Sequence, residues 1–284
     1  MREKEIVAVV VTYNRLELLK RCLESLSKQT RKDFDILVVN NGSTDGTYDW
    51  LNAFGEQIKC IHQKNLGGAG GFYAGQKYAH ENGYKWVWMM DDDGYAVHNQ
   101  LEELLKVAEH NDIKYCNALV CNIDDPTQLA FSDTSSSVFR VSPIIENYLA
   151  AFNGTLIHYS IFEKVGYIKK EMFIWGDEVE YTNRIKSAGF VPTTVTSAIH
   201  LHPKMKGILV SVLPFVNYKI KLKPFDKSHI FYRNLGYNSK CYGTKNTIIC
   251  DLLFYSIYFF RNFMFSELFK FYRYYIKGLK GDFS

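Results

Sequence analysis

A chain of 284 residues, 47% apolar and without a low-complexity tract or visible internal repeat, is long enough for one large α/β domain with an appendage and a buried core. Its six cysteines (Cys22, Cys60, Cys116, Cys121, Cys241 and Cys250) are scattered with no Cys-x-x-Cys pair, which argues against a zinc site or a disulfide framework and for reduced thiols in a cytosolic compartment. The net charge of +4 hides an asymmetry: residues 1–203 carry 20 Lys/Arg against 26 Asp/Glu, a net of −6, whereas residues 204–284 carry 14 against 4, a net of +10, with 20 of the 44 aromatic residues.

The first residues, Met-Arg-Glu-Lys-Glu, run straight into a strand-like segment, so no signal peptide is expected. Ile6–Tyr13 is a β-branched run, followed by Leu16, Leu19, Leu23 and Leu26 at helical spacing. Phe34–Asn40 reads as a second buried strand ending in Asn-Asn-Gly-Ser-Thr-Asp-Gly, where Ser43, Thr44 or Asp45 can cap the next helix. Ile58–His62 is a third strand, followed by a glycine-rich loop over Asn65–Gly71 and a helix to about Asn82. The next strand runs into Asp91, Asp92 and Asp93. Successive units of this length predict a parallel sheet with right-handed crossovers, a nucleotide-binding half of Rossmann type. Leu101–Glu109 reads as helix, Tyr115–Cys121 as strand, 122–147 as irregular, Leu149–Tyr159 as strand and Ser160–Val165 as a short helix ended by Gly166. Asp177–Ala188 is a helix with acids in its first turn and Gly189 as C-cap, and Val191–His202 is extended.

Three adjacent carboxylates at a strand's carboxyl end are hard to keep ionised unless a cation shares their charge. That end of an open α/β sheet is also where ligands bind. A solvated acidic turn is the competing explanation for such a triplet alone. The company it keeps favours a divalent metal on a phosphate-rich ligand. Val11-Thr12-Tyr13-Asn14-Arg15 ends the first strand, Asn40-Asn41-Gly42 ends the second, and Gly67-Gly68-Ala69-Gly70-Gly71 lets backbone N–H groups approach an anion. Asn40-Asn41-Gly42 is equally good turn chemistry, and the glycines alone fit a flexible loop.

In order and spacing these motifs resemble the family 2 glycosyltransferases of GT-A fold, in particular the galactofuranosyltransferase-like and rhamnosyltransferase-like branch, over roughly residues 5–203. The resemblance implies a UDP-sugar donor, with Thr12, Tyr13, Asn14, Asn41, Gly68, Gly70 and Asp92 around it. Asn41 stands where similar enzymes often carry an aspartate to bond the uracil N–H. It further implies Mn²⁺ or Mg²⁺ on Asp91 and Asp93, with a histidine of His200-Leu201-His202 as third ligand, His202 preferred over His200. Phe173-Ile174-Trp175-Gly176-Asp177-Glu178 matches the acceptor side: an acidic pair, Asp177 and Glu178, either of which can be the base of an inverting transfer, behind Trp175 as a platform for the acceptor sugar. UDP-galactofuranose is the expected donor and dTDP-rhamnose the alternative, with a lipid-linked glycan as acceptor. A nucleotidyltransferase also joins a parallel sheet, a Gly-rich loop and carboxylates. It carries a basic glycine-rich signature after its first strand, where Thr-Tyr-Asn-Arg stands here.

The expected organisation is a GT-A domain over residues 1–203 and a helical membrane-associating region over 204–284. Thr247–Phe265 is apolar enough to suggest a span, but it contains Asp251, Arg261 and Asn262, and charges inside a span are costly. Lys270, Arg273, Lys277 and Lys280 interleave with Phe and Tyr, so a segment lying on an anionic membrane surface is expected, peripheral on the cytoplasmic face, with no nucleic acid as partner.

Overall fold

Alternation along one strand explains how the larger part of the chain is layered. In β1 (Lys4–Thr12) Ile6, Ala8 and Val10 pack into one apolar cluster while Val7, Val9 and Val11 pack into another. A strand buried on both faces belongs in the middle of a sheet covered by helices on each side. A computed structural model describes residues 4–132, 135–138, 141–148, 152–204, 208–214 and 216–284. They group into two units, one of Met1–Lys170 with Tyr181–Met205 and one of Glu171–Glu180 with Lys206–Ser284.

In the first unit β1 is followed by α1 (Leu16–Ser27), β2 (Asp35–Asn40), α2 (Thr47–Asn52), β3 (Lys59–His62), α3 (Gly67–Glu81) and β4 (Tyr84–Asp91). The strands β1 to β4 are mutually parallel in the order β3-β2-β1-β4. Beyond them come β5 (Tyr95–Ala96), α4 (Gln100–His110), β6 (Tyr115–Asn122), β7 (Ile144–Glu146), β8 (Thr155–His158), α5 (Tyr159–Val165) and β9 (Thr193–His202). The sheet continues β4-β8-β6-β9-β5, with β8 antiparallel to both neighbours, β6 parallel to β9, and β7 paired to β9. The expected strand over Leu149–Tyr159 is therefore Thr155–His158, and residues 149–151 of that expectation lie outside the described residues.

The glycine-rich loop is corrected by the structure. The glycines begin α3 itself, starting at Gly67 with φ +72°. A Cβ on Gly71 would fall 2.4 Å from Val11 Cγ1, and one on Gly75 would fall 2.3 Å from Val9 Cγ1. Glycine every four residues is what lets this helix lie directly on β1.

The second unit holds a hairpin of β10 (Ile208–Leu213) and β11 (Val216–Leu222), then α7 (Ser228–Tyr242), α8 (Lys245–Arg261) and α9 (Phe265–Lys280). The helix α6 (Asp177–Ser187) begins in this unit's Glu171–Glu180 segment. The tail is helical as expected, but it has a core of its own: Val212, Ile220, Leu222, Tyr232, Tyr255, Phe259, Phe271 and Tyr275 are buried together. Asp251, the charge that disturbed the apolar run, accepts hydrogen bonds from Ser239 Oγ (2.6 Å) and Tyr275 Oη (2.8 Å) inside this unit. Arg261 Nη1 donates to Val212 O at 3.0 Å. Among the described residues no helix is long and apolar enough to cross a membrane.

Candidate active site

In the first unit, parallel register brings Thr12, Asn40 and Asp91 to one edge, Thr12 opposite Asn40 and Val11 opposite Asp91. The apolar run of β4 is buried on both faces as far as Met90, so its polar continuation emerges where the sheet ends. Asp92 is 2% exposed and accepts from Thr12 Oγ1 at 2.7 Å. Arg15 Nη1 bridges Asp92 Oδ1 at 3.2 Å and Asp93 Oδ2 at 2.8 Å. Burial pushes the Asp92 carboxyl up to about 6 in spite of Thr12 and Arg15. Asp91 is pushed up to about 8, by burial first and then by the charges of Asp93 and Asp92. Burial also opposes ionisation of Asp93, but His202 and Arg15 outweigh it and hold that carboxyl below its ordinary value.

His202 comes from β9 and sets its Nε2 3.2 Å from Asp93 Oδ1. Its Nδ1 lies 2.7 Å from Pro203 O, which assigns the Nδ1 proton to that bond and leaves Nε2 facing the carboxylate. Burial lowers the affinity of His202 for a proton, but the Asp93 contact overcomes this and raises it overall. Asp93 Oδ1 is buried and faces the His202 ring without a well-aligned hydrogen bond. His200 does not reach this group. It is fully buried, its Nδ1 lies 3.4 Å from Gln100 Oε1, and a Cβ on Gly94 would fall 2.1 Å from its Nε2. Burial drives its pKa down to about 3, so it is a neutral core histidine.

These side chains fit a hard divalent ion by their chemistry. The Asp91 carboxylate has no hydrogen bond or ion pair to another described residue, and Asp93 Oδ1 is buried facing a ring nitrogen of His202. Among the described residues no group of three or more His, Cys, Asp or Glu side chains is already arranged to hold a metal ion. That openness suits an ion that takes one or two carboxylates from protein and the rest of its ligands from water and substrate phosphates.

The remaining donor-side residues divide. Tyr13 is 45% exposed at the carboxyl end of β1. Asn14, at φ +53°, accepts from Thr44 N at 2.7 Å and donates its own N–H to Ser43 Oγ at 2.9 Å, locking two loops together. Asp45 accepts from Leu16 N at 2.9 Å and from Thr47 Oγ1 at 2.6 Å, so it serves the starts of two helices. Asn41 is 2% exposed, with Nδ2 donating to Gly67 O (2.7 Å) and Oδ1 accepting from Gln63 Nε2 (2.7 Å). Its amide ties β2 to the start of α3. Gly70 packs on Leu66, where a Cβ would fall at 2.4 Å, whereas Gly68 has no atom within 4 Å of its Cβ position. Arg15, unassigned by sequence reasoning, is the countercharge of the aspartates. Its place at the end of the first strand motif was the available signal.

The acceptor-side residues lie in the second unit on a strained loop. Phe173 (φ +67°), Trp175 (φ +64°) and Gly176 (φ +100°) all have left-handed backbone, which non-glycine residues adopt only when their surroundings impose it. Helix α7 imposes it. Asn234 Nδ2 lies 2.8–3.0 Å from the carbonyls of Met172, Ile174 and Trp175. Arg233 Nη2 donates to Glu171 O at 3.0 Å and Asn238 Nδ2 to Gly176 O at 2.9 Å. Asp177 is 5% exposed; Glu178 is half-buried and its Oε2 accepts from Gly176 N at 3.1 Å. Glu180 is buried and accepts from Tyr242 Oη at 3.1 Å, a structural bond. Trp175 is half-buried with the Lys223 ammonium 4.7 Å from its ring centroid. Neither the α7 clamp nor Lys223 had a sequence signal.

Comparison with known proteins matches this arrangement. The family model for glycosyl transferase family 2 matches residues 7–165. Galactofuranosyltransferase GlfT1 of Mycobacterium tuberculosis (strain ATCC 25618 / H37Rv) is 36% identical over 255 residues, covering 82% of each chain. GlfT1 of Mycolicibacterium smegmatis is 32% identical over 286 residues, covering 91% of each. Two solved structures share the fold at low identity. S. aureus TarS 1–349 superimposes with a TM-score of 0.57 at 16% identity, over 92% of this chain and 72% of that one. GalNAc-T7, solved with UDP, GalNAc and Mn²⁺, gives 0.59 at 13%, over 82% of this chain and 48% of that one. The fold is GT-A, a mostly parallel sheet flanked by helices with a C-terminal helical region.

Proposed function

The chain belongs to glycosyl transferase family 2, and from that premise we propose that it is an inverting, metal-dependent galactofuranosyltransferase. It moves galactofuranose from UDP-galactofuranose onto a lipid-linked glycan acceptor in cell-surface polysaccharide biosynthesis. The likeness to GlfT1 over most of both chains supports the sugar. The observation that carries the rest is the strand-end cluster of Asp91, Asp92 and Asp93 with His202, in which the Asp91 carboxylate has no hydrogen bond or ion pair to another described residue.

On this reading Asp91 and Asp93, with His202, would hold Mg²⁺ or Mn²⁺, which when bound would supply Lewis-acid neutralisation of the leaving diphosphate. Tyr13 offers an exposed ring to the base, and the fixed loop of Asn14 with Ser43 and Thr44 shapes the slot beside it. The open start of α3 at Gly68 offers backbone N–H groups to phosphate. Asp92, anchored by Thr12, faces the sugar or ribose. The acceptor hydroxyl loses its proton to a carboxylate oxygen of Asp177 or Glu178, beside the Trp175 ring.

The second unit supports a peripheral site of action. Ile249, Leu253 and Phe260 on α8, Phe263 in the turn, and Phe265, Phe269 and Ile276 on α9 are exposed, Phe263 at 82% and Phe269 at 71%. Bare apolar side chains in a segment of net charge +10 are suited to the interface of an anionic membrane at the cytoplasmic face.

Calorimetry tests the metal assignment. Wild type is expected to bind UDP more tightly with Mn²⁺ than in EDTA, and Asp93→Ala to bind equally weakly in both. A Mn²⁺ enhancement that survives in Asp93→Ala would refute it.

A further inference from the structure

Lys223 is a buried charge with no ion pair to another described residue. It follows β11 directly and is 8% exposed. Its ammonium sits over the Trp175 ring and makes no hydrogen bond or ion pair with another described residue. A Lys–Trp contact returns only part of what an ammonium loses on leaving water. Burial, with repulsion from Lys221 added and Glu178 opposing, lowers its pKa to about 8. The site is also rigid: the carbonyls around Trp175 are pinned by Asn234 and Asn238, and the backbone there is held in left-handed conformations.

We propose that Lys223, seated on Trp175, is a subsite for a phosphate group of the acceptor. The assignment rests on reading Asp177 and Glu178, two and three residues beyond Trp175, as the acceptor-side pair. A desolvated ammonium offers three N–H donors and a full charge to an oxyanion, and lysine binds phosphate in this way as a point charge. The site thus reads the anionic group of the acceptor, while the acidic pair acts on its hydroxyl. Carbohydrate hydroxyls alone would leave the charge uncompensated.

Two synthetic acceptors test this, with the same sugar and alkyl chain, one a neutral glycoside and the other a glycosyl diphosphate. For the full-length wild type the diphosphate has the lower KM. In Lys223→Met the ratio of the two KM values narrows by about tenfold or more, the scale of one lost charged hydrogen bond. Lys223→Arg retains most of the preference. Thermal melts of both variants establish that they are folded. An unchanged ratio in folded Lys223→Met, or an equal rise of both KM values, would overturn the proposal. If wild type transfers to neither acceptor, the transferase reading fails separately. The subsite is then decided by titrating inorganic pyrophosphate in EDTA and following Trp175 fluorescence, isolated by difference from Trp175→Phe. A saturable signal in wild type that disappears in Lys223→Met supports it, and equal titrations of the two refute it.

Discussion

The packing of α3 on β1 yields a quantitative contrast between two glycines of the same run. In Gly71→Ala the new Cβ lies 2.4 Å from Val11 Cγ1, 3.1 Å from Val11 Cγ2 and 3.3 Å from Asn41 Nδ2. Non-bonded carbons prefer about 3.5–4.0 Å, so helix and strand must separate by about 1 Å. Overpacking of that kind costs about 1–3 kcal/mol. Replacing glycine by alanine within a helix returns about 0.5–1 kcal/mol. The expected net loss is about 0–2.5 kcal/mol. Gly68→Ala meets nothing within 4 Å and keeps the helix gain without the clash. Urea unfolding followed by circular dichroism should place the two midpoints on opposite sides of wild type with unchanged slopes. Adding Val11→Ala to Gly71→Ala removes the clashing methyls, so the double mutant should lose less than the sum of the two single losses, by about 1 kcal/mol. Equal stability of Gly71→Ala and Gly68→Ala, or strict additivity with Val11→Ala, would refute the packing explanation.

Burial, with Lys114 and Lys85 adding to it, lowers His158 to about 4 from an ordinary 6.5. Between those values the unfolded chain binds the proton that the folded chain refuses. Stability should therefore fall as pH drops from about 6.5 toward 4, and His158→Gln, followed by thermal melts across that range, should fall less steeply. At the acceptor side, Asp177→Asn or Glu178→Gln should lose about 10²–10⁴-fold in turnover while UDP affinity by calorimetry stays near wild type; wild-type turnover in both would remove the pair from the chemistry. For the second unit, Phe263→Ser with Phe269→Ser should reduce co-sedimentation with anionic liposomes, and raising ionic strength should weaken wild-type binding. Retention of the wild type through high salt and alkaline wash would contradict peripheral docking.

The sheet was legible because its strands are short apolar runs with turn residues between them, and because the run of β4 ends abruptly in Asp91, Asp92 and Asp93. The glycines were harder. Spacing of four at Gly67, Gly71 and Gly75 reads equally as loop or as a helix face, and only the position of Val9 and Val11 decides between them. Asn41 was assigned to a base because its type and place in the turn suit one; that its amide is used by Gly67 and Gln63 depends on contacts more than twenty residues away. Alternation put His200 and His202 on one face but cannot separate them. The difference lies in Gly94 and Gln100 enclosing one ring and Asp93 facing the other. In the tail, composition announced aromatic and basic residues, but not that Tyr232, Tyr255, Phe259 and Phe271 would be used on a core while Phe263 and Phe269 stayed bare. Lys223 and the α7 clamp are tertiary facts with no local pattern.

Product analysis with competing donors tests the central proposal most directly. Purified full-length protein, Mn²⁺ and a lipid-like glycan acceptor are incubated separately with UDP-galactofuranose, UDP-galactopyranose and dTDP-rhamnose, and products are identified by mass spectrometry and NMR. The expected result is transfer from UDP-galactofuranose alone, with an inverted anomeric linkage, abolished by EDTA and by Asp91→Ala. Transfer of rhamnose in preference to galactofuranose, retention of anomeric configuration, or full activity in EDTA would contradict it.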